Sequence, residues 1–171
     1  MVEHGMKHPE DWSEEQVKYI LTNISDLETQ ALSCLAYLTG ARVSELNQIT
    51  KEHIFIEGDW LKVRCFVLKK RTKIPTRKVG GRLDEAWLTG PIVKYLEVCK
   101  TETLFPYHRA TLFTKLKTAT GFNPHAFRKL RATHLRKYHG FDSYQLKKFF
   151  SWSSITSSEP YTGVDDSDIL Y

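Results

Sequence analysis

The chain has 171 residues, of which 41% are hydrophobic and 26% are charged, and its formal net charge is +5. This length suits one folded unit, so we expect a single domain over residues 1–171. No run approaches the roughly 20 apolar residues that a membrane span needs, and the polar N-terminal residues lack the apolar segment of a secretory signal. We therefore expect no membrane partner.

Three helices are predicted before the middle of the chain. Ser13 and Gln16 have the spacing of a capping box, which starts the first helix near Glu14. Apolar spacing predicts a second helix and a short third one, from about Leu27 to Leu38 with a stop at Gly40, and then over Val43, Leu46 and Ile49.

The middle of the chain is predicted to form a small antiparallel sheet. One strand shows alternating apolar residues, namely Leu61, Val63, Cys65 and Val67. A basic turn at residues 69–72 leads to a second strand from Lys73 to Val79, in which Pro75 indicates an edge position and Gly80-Gly81 the end. A third short strand is expected between Asp84 and Leu88.

Four more helices are predicted after the sheet. Pro91 suits a first helical position, so one helix should begin there. The others follow from apolar spacing and capping residues: one over Leu112, Phe113 and Leu116 that stops at Gly121, one from the Asn123 cap to Gly140, and one from Asp142 to Phe150. The predicted fold class is α+β and mainly α, with a small three-stranded antiparallel sheet.

Basic residues are concentrated in two blocks. Nine Lys or Arg and no acid lie between Lys62 and Arg82, and ten lie between Arg109 and Lys148 against the single Asp142. This segregation favours a polyanion such as nucleic acid as partner over a merely solvated surface. The three cysteines, Cys34, Cys65 and Cys99, are widely spaced and form no CxxC motif, so we expect buried thiols in a reducing compartment.

Two short motifs combine residue types that bind phosphate. Arg42 follows a helix-ending glycine, and Glu45 lies three residues on, within pairing reach. His125 and Arg128 share one face near a predicted helix N-terminus, where free N–H groups favour an anion. Each motif alone is common in surface helices, and a single tyrosine near the C-terminus, Tyr161, is by itself more typical of packing than of catalysis.

The order of these features resembles the tyrosine recombinases of the phage-integrase family. The sequences TGARVSEL (39–46) and PHAFRKLRATHL (124–135) are close to the family consensus, with a basic hairpin between them. The likeness extends from about Ser13 to Tyr161. It implies a helical catalytic domain that cleaves and religates double-stranded DNA through a 3′-phosphotyrosine, without metal or other cofactor.

The resemblance also implies a role for individual residues. Tyr161 would be the nucleophile, and the other catalytic positions would be Arg42, Lys69, His125, Arg128 and Trp152, with Glu45 as the acidic companion of Arg42 and Lys70 as the alternative lysine. The predicted DNA-binding residues are Lys70, Arg71, Lys73, Arg77, Lys78, Lys129 and Arg131. The protein would associate with itself on DNA and act in the cytoplasm of a prokaryote, as part of a mobile element such as a virus or plasmid.

Three departures from the family pattern stand out. Trp152 replaces the commoner histidine, and its indole can donate a hydrogen bond but cannot transfer a proton. Pro160 precedes Tyr161 and favours a bend there. The usual N-terminal DNA-clamping domain is expected to be absent, either because the chain is truncated or because it is an unusually compact member.

Two other functions remain open at this point. A type IB topoisomerase resembles this family in active-site chemistry and would relax any supercoiled plasmid. A DNA-binding module with a lapsed active site would bind DNA without forming a covalent adduct. Only Trp152 and Pro160 favour the lapsed module.

Overall fold

The computed structural model describes residues 12–67 and 76–151. Its helices are α1 (Glu14–Thr22), α2 (Leu27–Thr39), α3 (Val43–Leu46), α4 (Ala86–Val98), α5 (Arg109–Thr120), α6 (Pro124–His139) and α7 (Ser143–Phe150), and its strands are β1 (Ile54–Glu57), β2 (Trp60–Phe66) and β3 (Thr76–Arg82). The three strands form an antiparallel sheet in the order β1-β2-β3. The predicted fold class is confirmed.

The centre of the fold is α2, in which every residue from Ala31 to Thr39 is buried. A helix that is buried on all sides lies inside the core rather than on its surface. It packs against α4 and α6, and its C-terminal end also meets β3. The chain segment that follows α2 therefore starts from the most enclosed part of the molecule.

Local capping signals placed most helix ends correctly. The side chains of Ser13, Asn123 and Asp142 each accept a hydrogen bond from the backbone of the helix that they precede. Gly40 ends α2 in the left-handed conformation, at φ 63°. These interactions are local in sequence, so pattern alone is enough to predict them.

The predicted third strand is wrong. Residues 84–88 form the end of a turn and the first turn of α4, while the third strand of the sheet is β1, before the predicted first strand. β1 is only four residues long, and its burial does not alternate, so the period-two pattern that revealed β2 is missing there.

Helix α4 begins five residues earlier than predicted, at Ala86, and Pro91 lies in its interior. A proline inside a helix leaves the carbonyl four residues earlier without its usual N–H partner. Here that carbonyl belongs to Trp87, and the Cys34 thiol donates to it at 3.8 Å. The buried thiol thus compensates in part for the missing backbone bond.

Strand β3 continues through the two glycines that were predicted to end it. A Cβ atom on Gly81 would lie 2.8 Å from Leu38 Cδ1, which shows how closely the strand approaches α2. Glycine at this point permits the contact between sheet and central helix. The part of the predicted strand and turn at residues 68–75 lies outside the described residues. Strand β3 lies at an edge of the sheet, which Pro75 had indicated.

The three cysteines are free and buried, as expected. Burial raises the pKa of the Cys34 thiol to about 12 and that of the Cys65 thiol to about 11. Both thiols are therefore protonated at neutral pH and contribute to packing.

Candidate active site

Arg42 stands where α2 has ended and α3 begins. Its main-chain N–H donates to Glu45 Oε1 at 2.9 Å, and its Nη1 lies 3.4 Å from Glu45 Oε2. The Glu45 side chain is 2% exposed, whereas that of Arg42 is 43% exposed. The predicted pairing is present: a buried carboxylate holds both the main chain and the guanidinium of an arginine whose side chain is partly exposed.

His125 and Arg128 lie on the first turns of α6. Asn123 caps this helix by accepting from the Ala126 N–H at 2.8 Å. His125 is exposed, while Arg128 is buried and its Nη1 donates to the carbonyl oxygen of Gly40 at 2.7 Å. Arg128 is thereby linked directly to the segment that carries Arg42.

The charges of several of these residues act on His125. The pKa of His125 is lowered, first by partial burial and then by the positive charges of Lys129, Arg128 and Arg42. Three of these side chains come from α6, and Arg42 comes from the start of α3. The structure therefore brings Arg42, Glu45, His125 and Arg128 together, with His125 favoured in its neutral form.

Two arginines that we predicted to contact DNA occupy the interior instead. Arg77 is 7% exposed, and its guanidinium donates to the carbonyls of Thr39 and Phe149 at 2.6 and 2.7 Å. Arg131 is 6% exposed, and its Nε donates to the Leu38 carbonyl at 3.1 Å. We correct that assignment, because both terminal nitrogens of Arg77 are held by carbonyls and the Arg131 guanidinium lies over the rings of Tyr37 and Phe149.

The remaining described candidates stay accessible. Lys78 is 47% exposed on β3 and lies 3.9 Å from Glu57, a spacing at which a surface ion pair contributes little. Lys129 is partly exposed on α6 beside His125. Both remain predicted DNA contacts. The other predicted residues, Lys69, Lys70, Arg71, Lys73, Trp152 and Tyr161, lie outside the described residues and stay predictions.

The C-terminal end of α7 also belongs to this site, which sequence reasoning missed. The Phe150 ring lies under the Arg128 guanidinium, with 4.9 Å between the Cζ atom and the ring centroid. The adjacent Phe149 carbonyl accepts from Arg77. The pair of phenylalanines at a helix end was the available signal, because two large apolar residues directly before a polar segment need a buried partner.

A cavity of about 820 Å³ lies elsewhere, between α5 and the turn that joins α1 to α2. None of the predicted site residues lines it. The candidate active site instead concentrates positive charge, which suits a phosphate group.

Among residues 12–67 and 76–151, no helix combines the length and apolar character needed to cross a membrane. In the same ranges, no three His, Cys, Asp or Glu side chains are grouped so that they could hold a metal ion.

Solved structures identify the class of fold. The chain resembles the crystal structure of XerA recombinase with a TM-score of 0.70 and 20% identity, over 91% of this chain and 61% of that one. It also resembles XerH site-specific recombinase bound to difH substrate, with a TM-score of 0.71 and 17% identity over 91% and 51% of the two chains. A lambda integrase dimer bound to a COC' core site matches with a TM-score of 0.61 and 17% identity, over 93% and 49%. The fold is that of the recombinase catalytic domains.

Sequence comparison identifies the family. The phage integrase family model matches residues 11–168, and the chain belongs to that family. Tyrosine recombinase XerD of Shewanella oneidensis is 27% identical over 91% of this chain, and the XerD protein of Vibrio vulnificus is likewise 27% identical over 91%. The chain spans 57% of the length of these curated relatives.

Proposed function

We propose that this chain is the catalytic domain of a site-specific DNA recombinase or integrase. The observation that carries the proposal is the hydrogen bond from Arg128, on the helix that also bears His125, to the carbonyl of Gly40, two residues before Arg42; both arginine cations act to lower the pKa of His125. Attack on a phosphodiester increases negative charge on the non-bridging oxygens, and two guanidinium groups at one point stabilise that charge.

In this proposal the Tyr161 oxygen attacks the phosphorus, and the bond from phosphorus to the 5′ oxygen breaks. The product is a 3′-phosphotyrosine and a free 5′-hydroxyl, and the reverse reaction joins the strands. His125 accepts the tyrosine proton, and Lys69, or Lys70 as the alternative, protonates the leaving 5′ oxygen. Trp152 donates its indole N–H to the phosphate. The neutral form of His125 that its surroundings favour suits a proton acceptor.

We extend the proposal to partners and setting by analogy with the relatives. Double-stranded DNA is the substrate, and copies of the chain associate on it, as with the lambda integrase dimer bound to a core site. The protein would act on DNA in the prokaryotic cytoplasm, as part of a mobile element such as a virus or plasmid. The similarity to the Tn1549 transposon integrase supports a mobile-element setting.

Covalent trapping tests the reaction. The full chain is incubated at high concentration with a pool of nicked duplexes whose sequence beside the nick is randomised, so that cleavage releases a short fragment and prevents rejoining. We expect wild type to give a denaturant-resistant protein–DNA adduct, and Tyr161→Phe to give none. Absence of adduct from both proteins would leave only the DNA-binding module.

The same assay separates the remaining enzyme class and tests the arginines. Sequencing of the trapped DNA should reveal a preferred site, whereas relaxation of any supercoiled plasmid without preference would indicate a type IB topoisomerase.

Arg42→Ala or Arg128→Ala should each slow adduct formation by about 10²–10³-fold at saturating DNA, the usual cost of losing one oxyanion donor. Arg109, exposed at the start of α5, provides the matched control as Arg109→Ala.

A further inference from the structure

Three consecutive carbonyl oxygens at the end of α2 are each held by a buried arginine. Arg131 donates to Leu38, Arg77 to Thr39 and Arg128 to Gly40, at 3.1, 2.6 and 2.7 Å. We name these three arginines the carbonyl clamp. The last carbonyls of a helix have no intrahelical partner and carry partial negative charge, so cations from other elements satisfy both needs.

Arg77 connects three elements. It lies on β3, and its two terminal nitrogens donate separately to Thr39 at the end of α2 and Phe149 near the end of α7. Its Cζ atom lies 5.5 and 5.6 Å from the ring centroids of Phe149 and Phe150. A planar fork with two fixed donors can hold two carbonyls at once, which a lysine ammonium does with far less geometric definition.

The segment from Thr39 to Arg42 has a partner at each step. The Ala41 N–H donates to Thr39 Oγ1 at 3.1 Å, and the Arg42 N–H donates to Glu45. Arg128 holds the Gly40 carbonyl, whereas the Thr39 carbonyl is held by Arg77, a residue outside the predicted catalytic set. Burial lowers the pKa of Arg77, while the Glu45 carboxylate, which also holds Arg42, acts to raise it.

We infer that Arg77 is a positioning residue for Arg42: by fixing the Thr39 carbonyl against β3 and α7, it sets the backbone from which Arg42 reaches the scissile phosphate. Arg77 touches no substrate in this assignment and acts through the backbone three residues before Arg42. The inference rests on the proposed function where it concerns catalysis, and on the backbone contacts alone where it concerns the order of residues 39–42.

The test compares Arg77→Met and Arg77→Lys with Arg131→Met. Arg131 is the matched control because it is equally buried and also holds an α2 carbonyl, but that carbonyl lies one residue further from Arg42. We expect Arg77→Met to slow adduct formation about 10- to 100-fold at saturating DNA, because small misplacement of a catalytic group is that costly. Arg77→Lys should recover only part of the rate, and the affinity for DNA should change little.

Two further measurements separate positioning from loss of stability. Amide hydrogen exchange at Ala41 and Arg42 should accelerate in Arg77→Met and stay near the wild-type rate in Arg131→Met. In an Arg42→Lys background, Arg77→Met should slow the reaction much less than in wild type, because the residue that it positions has already been altered.

The positioning role would be overturned by either of two results. One is that amide hydrogen exchange at residues 41–42 of Arg77→Met keeps the wild-type rate. The other is that Arg77→Met and Arg131→Met slow adduct formation equally when their losses of stability are equal. If wild type forms no adduct, the proposed function fails, while the exchange measurement still decides whether Arg77 orders the Arg42 backbone.

Discussion

His134 shows how one buried side chain of α6 connects distant parts of the chain. Its Nε2 lies 2.6 Å from the Trp12 carbonyl, and its Nδ1 lies 2.7 Å from the Tyr37 hydroxyl. Because a carbonyl only accepts, Nε2 carries the hydrogen, and Nδ1 accepts from Tyr37 in the neutral ring. A second proton on this ring would oppose the hydrogen bond from Tyr37, so the fold favours neutral His134.

This arrangement predicts a loss of stability in mild acid. The pKa of His134 is lowered from 6.5, chiefly by burial and also by Arg131 and Lys137. In the unfolded chain the ring has its ordinary pKa, so below about pH 6.5 the unfolded state binds a proton that the folded state does not. The stabilisation is therefore fully present above that pH and is lost as pH falls toward the lower folded-state pKa.

Urea unfolding at several pH values between about 7.5 and 5.5 measures the effect. The free energy of unfolding of wild type should decrease with falling pH more steeply than that of His134→Gln, even though the variant is less stable at neutral pH. Parallel pH profiles for the two proteins would contradict this account.

The limits of sequence reasoning are clearest for Arg77. A basic residue within a basic block favours a DNA contact, yet this one lies inside the fold. The period of two in a strand was the available signal, since it places Arg77 on the same face as Val79, which is buried. Its partners at Thr39 and Phe149 were not predictable, because they lie 38 and 72 residues away.

Among the elements, the joint between α2 and α3 depends most on a single residue. Gly40 has φ 63°, and a Cβ atom built on it would lie 2.5 Å from Phe150 Cε1. Two requirements thus coincide there: a left-handed backbone and room for an aromatic ring of α7. Gly140, at the end of α6, has φ 70° but open space around it, so only the backbone requirement applies.

Gly40→Ala should therefore destabilise the protein more than Gly140→Ala does. The left-handed conformation alone costs about 1–2 kcal/mol, and the overlap with Phe150 raises the total for Gly40→Ala to about 2–5 kcal/mol. Chemical denaturation of both variants gives the comparison. Equal losses would mean that Phe150 does not occupy the space above Gly40.

The elements themselves were predictable to different degrees. Helices with a capping side chain and a terminal glycine, such as α2 and α6, follow from neighbouring residues alone. The early start of α4 could not be predicted in this way, because Pro91 is accommodated by a thiol on another helix. Strand β1 could not be predicted either, because it is short and its burial does not alternate. The Arg42–Glu45 pair was predictable, being three residues apart, whereas the contact of Arg128 with Gly40 joins residues 88 positions apart.

At the scale of the whole molecule, charge segregation predicts salt-dependent DNA binding. Lys78 is exposed, and the sequence carries four more Lys or Arg at residues 69–73. Each phosphate contact releases condensed counterions, so affinity should fall linearly with salt on a double logarithmic plot. Replacing Lys70, Arg71 and Lys73 by glutamine should make that slope shallower by about 0.9 for each phosphate that the variant no longer neutralises.

Fluorescence anisotropy with a labelled duplex over a range of salt concentrations measures both slopes. Replacement of Lys94, Lys100 and Arg109 by glutamine is the charge-matched control, because these exposed residues lie outside the predicted DNA-binding set. An affinity that does not respond to salt would argue against DNA as the ligand.

The placement of the carbonyl clamp has a thermodynamic consequence for substrate binding. The arginines that hold Leu38, Thr39 and Gly40 belong to β3 and α6, so the loop that bears Arg42 becomes ordered when the core forms. The conformational entropy of that loop is lost during folding, before any nucleic acid arrives. Binding of DNA then need not offset this loss of entropy, so a larger share of the contact energy at Arg42 can stabilise the transition state.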